Sequence, residues 1–288
     1  MKKIGLALGG GGAKGFAHIP ILEVFDELGI KPYCITGTSI GSILGALYAS
    51  GHSAANIVEM IRQLIPQRSS SIKEIIRGKE PFKALSLIDP HFSLKPQGLL
   101  KGEKFLGFLY EQMQVSTFEE LETPFTCVAT DFWRRKQIAF DSGDLLLAVR
   151  ASMAIPYIFT PVMNDDQVLV DGGLVNNVPH DLLDRKCDIR IAVDIIGERS
   201  TPKNKPPSPL EAISHTYQVM MDAIAQEKLA NHPVDIYVHP PLLDVEILDF
   251  HKAEAIYEQG LAAKDDFKRQ LEKLLTGKRP RLGRRRKK

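Results

Sequence analysis

The stretch "YCITGTSIGSILGALYASG", Tyr33 to Gly51, decides how the chain reads. A short apolar run enters a turn of small residues and leaves as an apolar helical segment. The turn, Gly37-Thr38-Ser39-Ile40-Gly41, has the form Gly-x-Ser-x-Gly. A serine at a sharp strand-to-helix corner exposes its Oγ, and small neighbours relieve the crowding there. The bland reading is a Ser/Gly-rich turn in which Thr38 or Ser39 caps a helix. A strand before and a helix after strengthen the reading as a nucleophile elbow.

The preceding segment repeats the pattern. "KIGLALG" reads as a short buried strand, Gly9 to Gly12 follow, and "AKGFAHIPILEVFDELGI" reads as a helix that Gly29 ends. Pro20 falls inside that helical pattern, where it should bend the helix or cost stability. Two successive strand–turn–helix units predict an α/β fold with a parallel sheet. Strands are also expected at "FTCVAT", "QIAF", "QVLV", "IRIAVDII" and "VDIYVHP", and helices at residues 210–231 and 251–275.

The glycine loop has three functional readings and one bland one, a tight turn. Gly10 to Gly15 is a literal GxGxxG, the form of a dinucleotide fingerprint. That fingerprint needs an acidic residue at the end of the second strand. Here the strand ends in Thr36-Gly37-Thr38-Ser39, without a carboxylate. A phosphate-binding P-loop needs Gly-Lys followed by Ser or Thr, and Lys14-Gly15-Phe16 fails. The third reading is a set of backbone N–H donors at a helix N-terminus, aimed at a developing oxyanion.

A serine nucleophile needs a base. None of the eight histidines follows a predicted core strand in a catalytic setting. His180 reads as a helix-start residue and His18 as a packed neighbour of the glycine loop. "QVLVDGGLVNNVP", Gln167 to Pro179, offers a carboxylate instead: Asp171 ends an apolar strand beside Gly172 and Gly173. The bland reading of Asp171 is an Asx turn. As a base it would need burial to raise a pKa that is ordinarily near 4.

Together with "RASMAIPYIFTPV", Arg150 to Val162, these motifs resemble the patatin-like phospholipase family over roughly residues 3–200. The resemblance implies a three-layer α/β fold with a central, mostly parallel sheet flanked by helices. It implies acyl hydrolysis by a dyad, Ser39 as nucleophile and Asp171 as base, without catalytic His, metal or cofactor. The N–H groups of Gly10, Gly11 and Gly12 would line the oxyanion hole. Lys14 and Gly15 would anchor that loop, and Gly37, Gly41, Gly172 and Gly173 would support the two turns. Asp131 in "ATDFW" is assigned a structural role. Pro20 stands where related sequences often have Gly. The expected substrate is a lipid acyl ester, as for a phospholipase A or lysophospholipase. A carboxylesterase or thioesterase would share every motif. A catalytically weak regulatory protein at a membrane is the other alternative, against which the intact Ser39 and Asp171 argue.

Composition sets the outer bounds. The 288 residues are 44% hydrophobic and 25% charged, ordinary for a globular domain. Cys34, Cys127 and Cys187 form no CxxC pair and read as buried free thiols in a reducing compartment. No apolar run reaches the roughly 18 residues of a membrane span. The glycine-broken start argues against a cleaved leader, so the expectation is a cytoplasmic protein, peripheral on the inner membrane face. Residues 1–277 are expected to form one domain, with 66–102 as a lid or insertion. Residues 278–288 hold eight Lys or Arg and no acid, leaving 37 − 8 = 29 basic residues against 35 acidic ones, a net of −6. The tail reads as a solvated extension with affinity for anionic lipid headgroups, about 1 kcal/mol per basic residue near the surface. With no aromatic residue interleaved, nucleic acid is not an expected partner. Truncation after Thr276 should therefore weaken binding to anionic liposomes at low salt. Unchanged sedimentation with the vesicles would leave the tail a solvated extension only.

Overall fold

In the computed structural model, residues 2–64, 103–198 and 206–277 are described. The expected lid, 66–102, and the basic tail, 278–288, lie outside them. The chain order is β1 (Ile4–Leu8), α1 (Ile19–Glu27), β2 (Cys34–Thr38), α2 (Ile40–Ala49), α3 (Ala54–Leu64) and α4 (Glu103–Met113). Then follow β3 (Phe125–Asp131), β4 (Lys136–Phe140), α5 (Leu145–Ser152), β5 (Val162–Asn164), β6 (Gln167–Asp171) and β7 (Ile189–Val193). The last elements are α6 (Pro209–Asn231), β8 (Ile236–Val238) and α7 (Ala253–Thr276).

Strands β8, β7, β1, β2 and β3 run parallel; β4 and β6 pair antiparallel with β3, and β5 pairs antiparallel with β6 in the same sheet. Side chains alternate across the pleat. Ile4, Leu6, Leu8, Ile35, Ile191 and Val193 join one core with Leu22 and Phe25 of α1, Leu44 of α2, and Phe267 of α7. Ala7, Cys34 and Ala192 belong to a second cluster, with Val178, Leu183, Cys187 and Ala225 of α6. Small residues suit that face because the chain at 178–187 runs close over it: a Cβ on Gly5 would lie 2.8 Å from Cys187 Sγ. The three cysteines are free and buried. No helix among the described residues is long and apolar enough to cross a membrane.

The expected first helix is two pieces. Gly12–His18 forms a 3-10 helix, and the α-helix proper starts at Ile19 with Pro20 in its first turn. A first-turn N–H has no intrahelical acceptor, so proline loses nothing there. Pro20 starts α1 and does not bend it.

The register around β3 brings two motifs together. β4 occupies one edge of β3 from Cys127 to Asp131. The opposite edge is shared: β2 pairs with Phe125 to Val128, and β6 with Ala129 to Asp131. Thr38 faces Val128 and Asp171 faces Ala129. A parallel strand and an antiparallel strand thus meet end to end on consecutive residues of β3, one delivering Ser39 and the other Asp171.

Close backbone approach holds this arrangement. A Cβ on Gly41 would lie 2.2 Å from the Leu8 carbonyl oxygen and 2.7 Å from that of Gly9. Both obstacles are main chain and cannot swing aside. Gly41→Ala should therefore destabilise the fold by about 2–3 kcal/mol or more, the range of overpacked cores. Gly107, in α4, has nothing within 4 Å of that position. Gly107→Ala should be neutral or stabilise by up to about 1 kcal/mol, since alanine is the better helix former. Urea melts of the two variants check the contrast.

Candidate active site

Ser39 sits between β2 and α2 with φ 54° and ψ −123°. A non-glycine residue in the left-handed half of φ space costs on the order of 1–3 kcal/mol and persists only where its surroundings impose it. Here they do. The Ser39 N–H donates to Ser152 Oγ at 2.8 Å. Its carbonyl accepts from Ser42 Oγ at 2.6 Å and from the N–H groups of Ser42 and Ile43. Gly37 lies beneath Gly41 across the elbow, so both flanking glycines serve the turn.

Asp171 is buried beside it. Its N–H donates to the Ala154 carbonyl at 3.0 Å, and its own carbonyl accepts from Thr130 Oγ1 at 2.8 Å. Carboxyl Oδ1 accepts from the Gly173 N–H at 2.7 Å and from the Tyr217 hydroxyl at 2.9 Å. Oδ2 has no hydrogen-bond partner among the described residues. Burial pushes the carboxyl up to about 6, while its two bonded donors, the Gly173 N–H and the Tyr217 hydroxyl, and the Ser39 hydroxyl close by but outside hydrogen-bond geometry, each favour the charged form. Gly172 lies against the Val128 carbonyl and Thr38 Cγ2, at the seam between β2 and β6.

The glycine loop crosses the elbow. A Cβ on Gly10 would meet Asn177 Oδ1 at 2.6 Å and Ser39 Cβ at 3.1 Å. The Gly10 N–H donates to the Asn177 carbonyl at 3.0 Å, and Asn177 Nδ2 donates to the Gly10 carbonyl at 3.2 Å. The Ala13 N–H donates to the Ile247 carbonyl at 2.8 Å. Of the three amides expected to line an oxyanion hole, that of Gly10 is thus committed elsewhere. Those of Gly11 and Gly12 have no acceptor among the described residues, nor does that of Ile40, first in α2. Gly12 has φ 58°, and a Cβ there would lie 2.2 Å from the Ile247 carbonyl oxygen.

Lys14 is buried and donates from Nζ to the Ile196 carbonyl and, at 2.9 Å, to Gln218 Oε1. Gly15 lies against Ile40. Lys14 and Gly15 therefore tie the loop to its surroundings.

His18 donates from Nε2 to the Gly9 carbonyl at 2.8 Å, and burial lowers its pKa to about 4, so it stays neutral. His180 begins a 3-10 turn and donates from Nδ1 to the Val178 carbonyl. Asp131 accepts from the Arg134 backbone N–H at 3.0 Å and from its guanidinium at 2.8 Å, a turn-stabilising role.

Sequence reasoning missed four contributors: Ser152, Asn177, Ile40 and Tyr217. "NN" at 176–177, polar amides inside an apolar run just after Asp171-Gly172-Gly173, was a usable signal for Asn177. Ile40 follows the serine and was available from elbow geometry. Nothing in the spacing of α6 marks Tyr217.

The sequence pattern of patatin-like phospholipases matches residues 6–184. An uncharacterized NTE family protein of Mycobacterium tuberculosis is 31% identical over 201 residues, 69% of this chain and 51% of that one. The lysophospholipase NTE1 of Kluyveromyces lactis is 27% identical, over 93% of this chain and 19% of its own length. This chain spans about half the length of the mycobacterial relative and a smaller share of the yeast one. Among solved structures, VipD of Legionella pneumophila superposes with a TM-score of 0.48 at 13% identity, covering 93% of this chain and 67% of that one.

The expected role of Asp171 as base carries a pH dependence. In that role only its ionised form could take the Ser39 proton, and that form is lost as pH falls through about 6. The rate of Ser39 modification by a fluorophosphonate should therefore drop across that range. In Asp171→Asn the residual rate should show no inflection there; an inflection kept in that variant would assign it to another group.

Proposed function

The chain belongs to the patatin-like phospholipase family, and we propose on that premise that it is a lipolytic serine hydrolase of lysophospholipase type. Ser39 Oγ attacks the carbonyl carbon of a lipid acyl ester and its proton passes to Asp171. The tetrahedral intermediate collapses as Asp171 passes that proton to the departing alkoxide, so the alcohol leaves, an acyl-enzyme remains on Ser39 and the carboxylate is restored. Water, activated by the same carboxylate, releases the fatty acid.

One observation carries this reading. Asp171 is buried, its Oδ1 accepts two hydrogen bonds, and its Oδ2 has no hydrogen-bond partner among the described residues, next to a strained serine. A buried polar atom without a partner calls for an explanation. Here Oδ2 is the acceptor waiting for the Ser39 proton. A carboxyl with a pKa near 6 is still mostly ionised at neutral pH, yet is a better base than an exposed aspartate.

The oxyanion would be held by the N–H groups of Gly11 and Gly12 together with that of Ile40. Each such donor is worth on the order of 3 kcal/mol in the transition state. The relatives called lysophospholipases support a lipid ester as substrate. The segment Met153 to Phe159, which follows Ser152, would supply apolar wall for the acyl chain. The basic residues 278–288 support a peripheral contact with an anionic membrane face on the cytoplasmic side.

Fluorophosphonate labelling tests the nucleophile. Wild type should label, Ser39→Ala should not, and Asp171→Asn should label about 10²–10⁴-fold more slowly, the usual worth of a general base. Equal labelling of wild type and Ser39→Ala would sink the assignment. A substrate panel then tests the class: lysophosphatidylcholine should be hydrolysed, and turnover confined to acyl thioesters or short p-nitrophenyl esters would overturn the lipid reading.

A further inference from the structure

α6 reaches the site through two consecutive residues. The Tyr217 hydroxyl donates to Asp171 Oδ1 at 2.9 Å. The next residue, Gln218, accepts at Oε1 from Lys14 Nζ at 2.9 Å. Neighbours on a helix point about 100° apart, so one turn of α6 grips both the carboxylate and the glycine loop. About three turns further on, Lys228 pairs with Asp181 at 2.6 Å. Asp181 accepts from Asn176 Nδ2, and the Asn176 carbonyl accepts from Thr38 Oγ1, one residue before Ser39. Three lines of contact thus run from this helix to the base, the donor loop and the elbow.

Packing alone does not account for these contacts. Between Glu211 and Asn231, only Met221 and Ala225 of α6 are fully buried, and Ile213, Val219 and Met220 are exposed. The contacts to Asp171 and Lys14 are polar and directional.

We propose that α6 is the positioning element of this site: Tyr217 holds the Asp171 carboxylate so that Oδ2 faces Ser39, and Gln218 fixes the glycine loop through Lys14. This rests on Asp171 being the base. Tyr217 is suited to donate, because burial and the neighbouring carboxylate raise its pKa well above the usual phenol and keep it protonated. The groups facing Asp171 are few: Ser39 from the elbow, Gly173 from its own turn, Tyr217 from α6, and Cys127 from β3. The Cys127 thiol is pushed up to about 12 by burial and stays neutral. No Lys, Arg or His side chain among the described residues bonds to it. Tyr217 is therefore the side-chain donor on Oδ1, and removing its hydroxyl should make the carboxyl harder to ionise.

The test reads the carboxylate directly. Protein labelled with 13C at the aspartate carboxyls is titrated by NMR, with Asp171→Asn assigning the signal. The Asp171 midpoint should rise by about one pH unit in Tyr217→Phe, as expected for loss of one charge-assisted hydrogen bond. The low-pH limb of Ser39 labelling should move with it. Gln218→Ala should leave the midpoint in place and slow labelling several-fold at pH 8. If Tyr217→Phe melts early, 3-fluorotyrosine at 217 replaces it: a stronger donor should move the midpoint down. A midpoint unchanged by either Tyr217 variant overturns the proposal, as does one that Gln218→Ala moves equally. Wild type that does not label at Ser39 would refute the hydrolase reading, and the titration would still decide what Tyr217 does.

Discussion

One edge of β3 carries two strands, and the candidate site exists because of it. β2 runs up the first half of that edge and turns away at Ser39. β6 runs down the second half and turns away at Asp171. Their last residues face Val128 and Ala129, neighbours along β3, so the serine and the carboxylate cannot be far apart. An all-parallel sheet would place both turns at the same end of separate strands, with a full strand spacing between them. The antiparallel β5–β6 pair closes that gap. Gly172 marks the seam, where a side chain would strike the Val128 carbonyl.

The same seam buries a carboxylate, and that has an energetic consequence. Folding raises the Asp171 pKa from 3.8 to about 6. At neutral pH the group is charged in both states and unfavourable in the folded one, by on the order of 3 kcal/mol from the size of the shift. The sign follows from linkage. The penalty is absent below about pH 4, where the carboxyl is protonated folded and unfolded, and complete above about 6. Its hydrogen bonds from Gly173 and Tyr217 already reduce it, since each favours the charged form. A fold under selection for stability alone would have an apolar residue here. A charged residue buried at such a cost, with Oδ2 unpartnered among the described residues, is consistent with the proposed role of base.

Much of this was legible from residue order, and the limits have physical causes. The two strand–turn–helix units, the elbow at Gly37–Gly41 and the strand ending at Asp171 follow from local chemistry, because apolar runs, glycines and turn residues act over a few positions. What pairs with what is not local. Nothing in "QVLVD" says that β6 runs antiparallel or that it shares an edge with β2. Pro20 misled because the glycine loop continues as a 3-10 helix, which shifts the α-helix start to Ile19. Tyr217 was invisible for another reason. It lies on a helix whose exposed apolar residues blur any buried stripe, and its partner is 46 residues away.

Backbone chemistry governs the glycine loop. Four glycines leave every amide sterically open, so residue type alone cannot say which ones face a ligand. Hydrogen bonding decides. Asn177 clamps Gly10 through two bonds, one to its N–H and one to its carbonyl. Ile247 takes the N–H of Ala13 on the other side. Lys14 then ties the loop to Ile196 and, through Gln218, to α6. With both flanks fixed, the loop amides without an acceptor among the described residues are the middle pair, Gly11 and Gly12. A donor pair held at its two ends need not reorganise when charge develops, which is the condition under which such donors stabilise an oxyanion most. On the proposed reading, the outer residues of the loop hold the inner donors in place, with the Gly10 amide spent on Asn177.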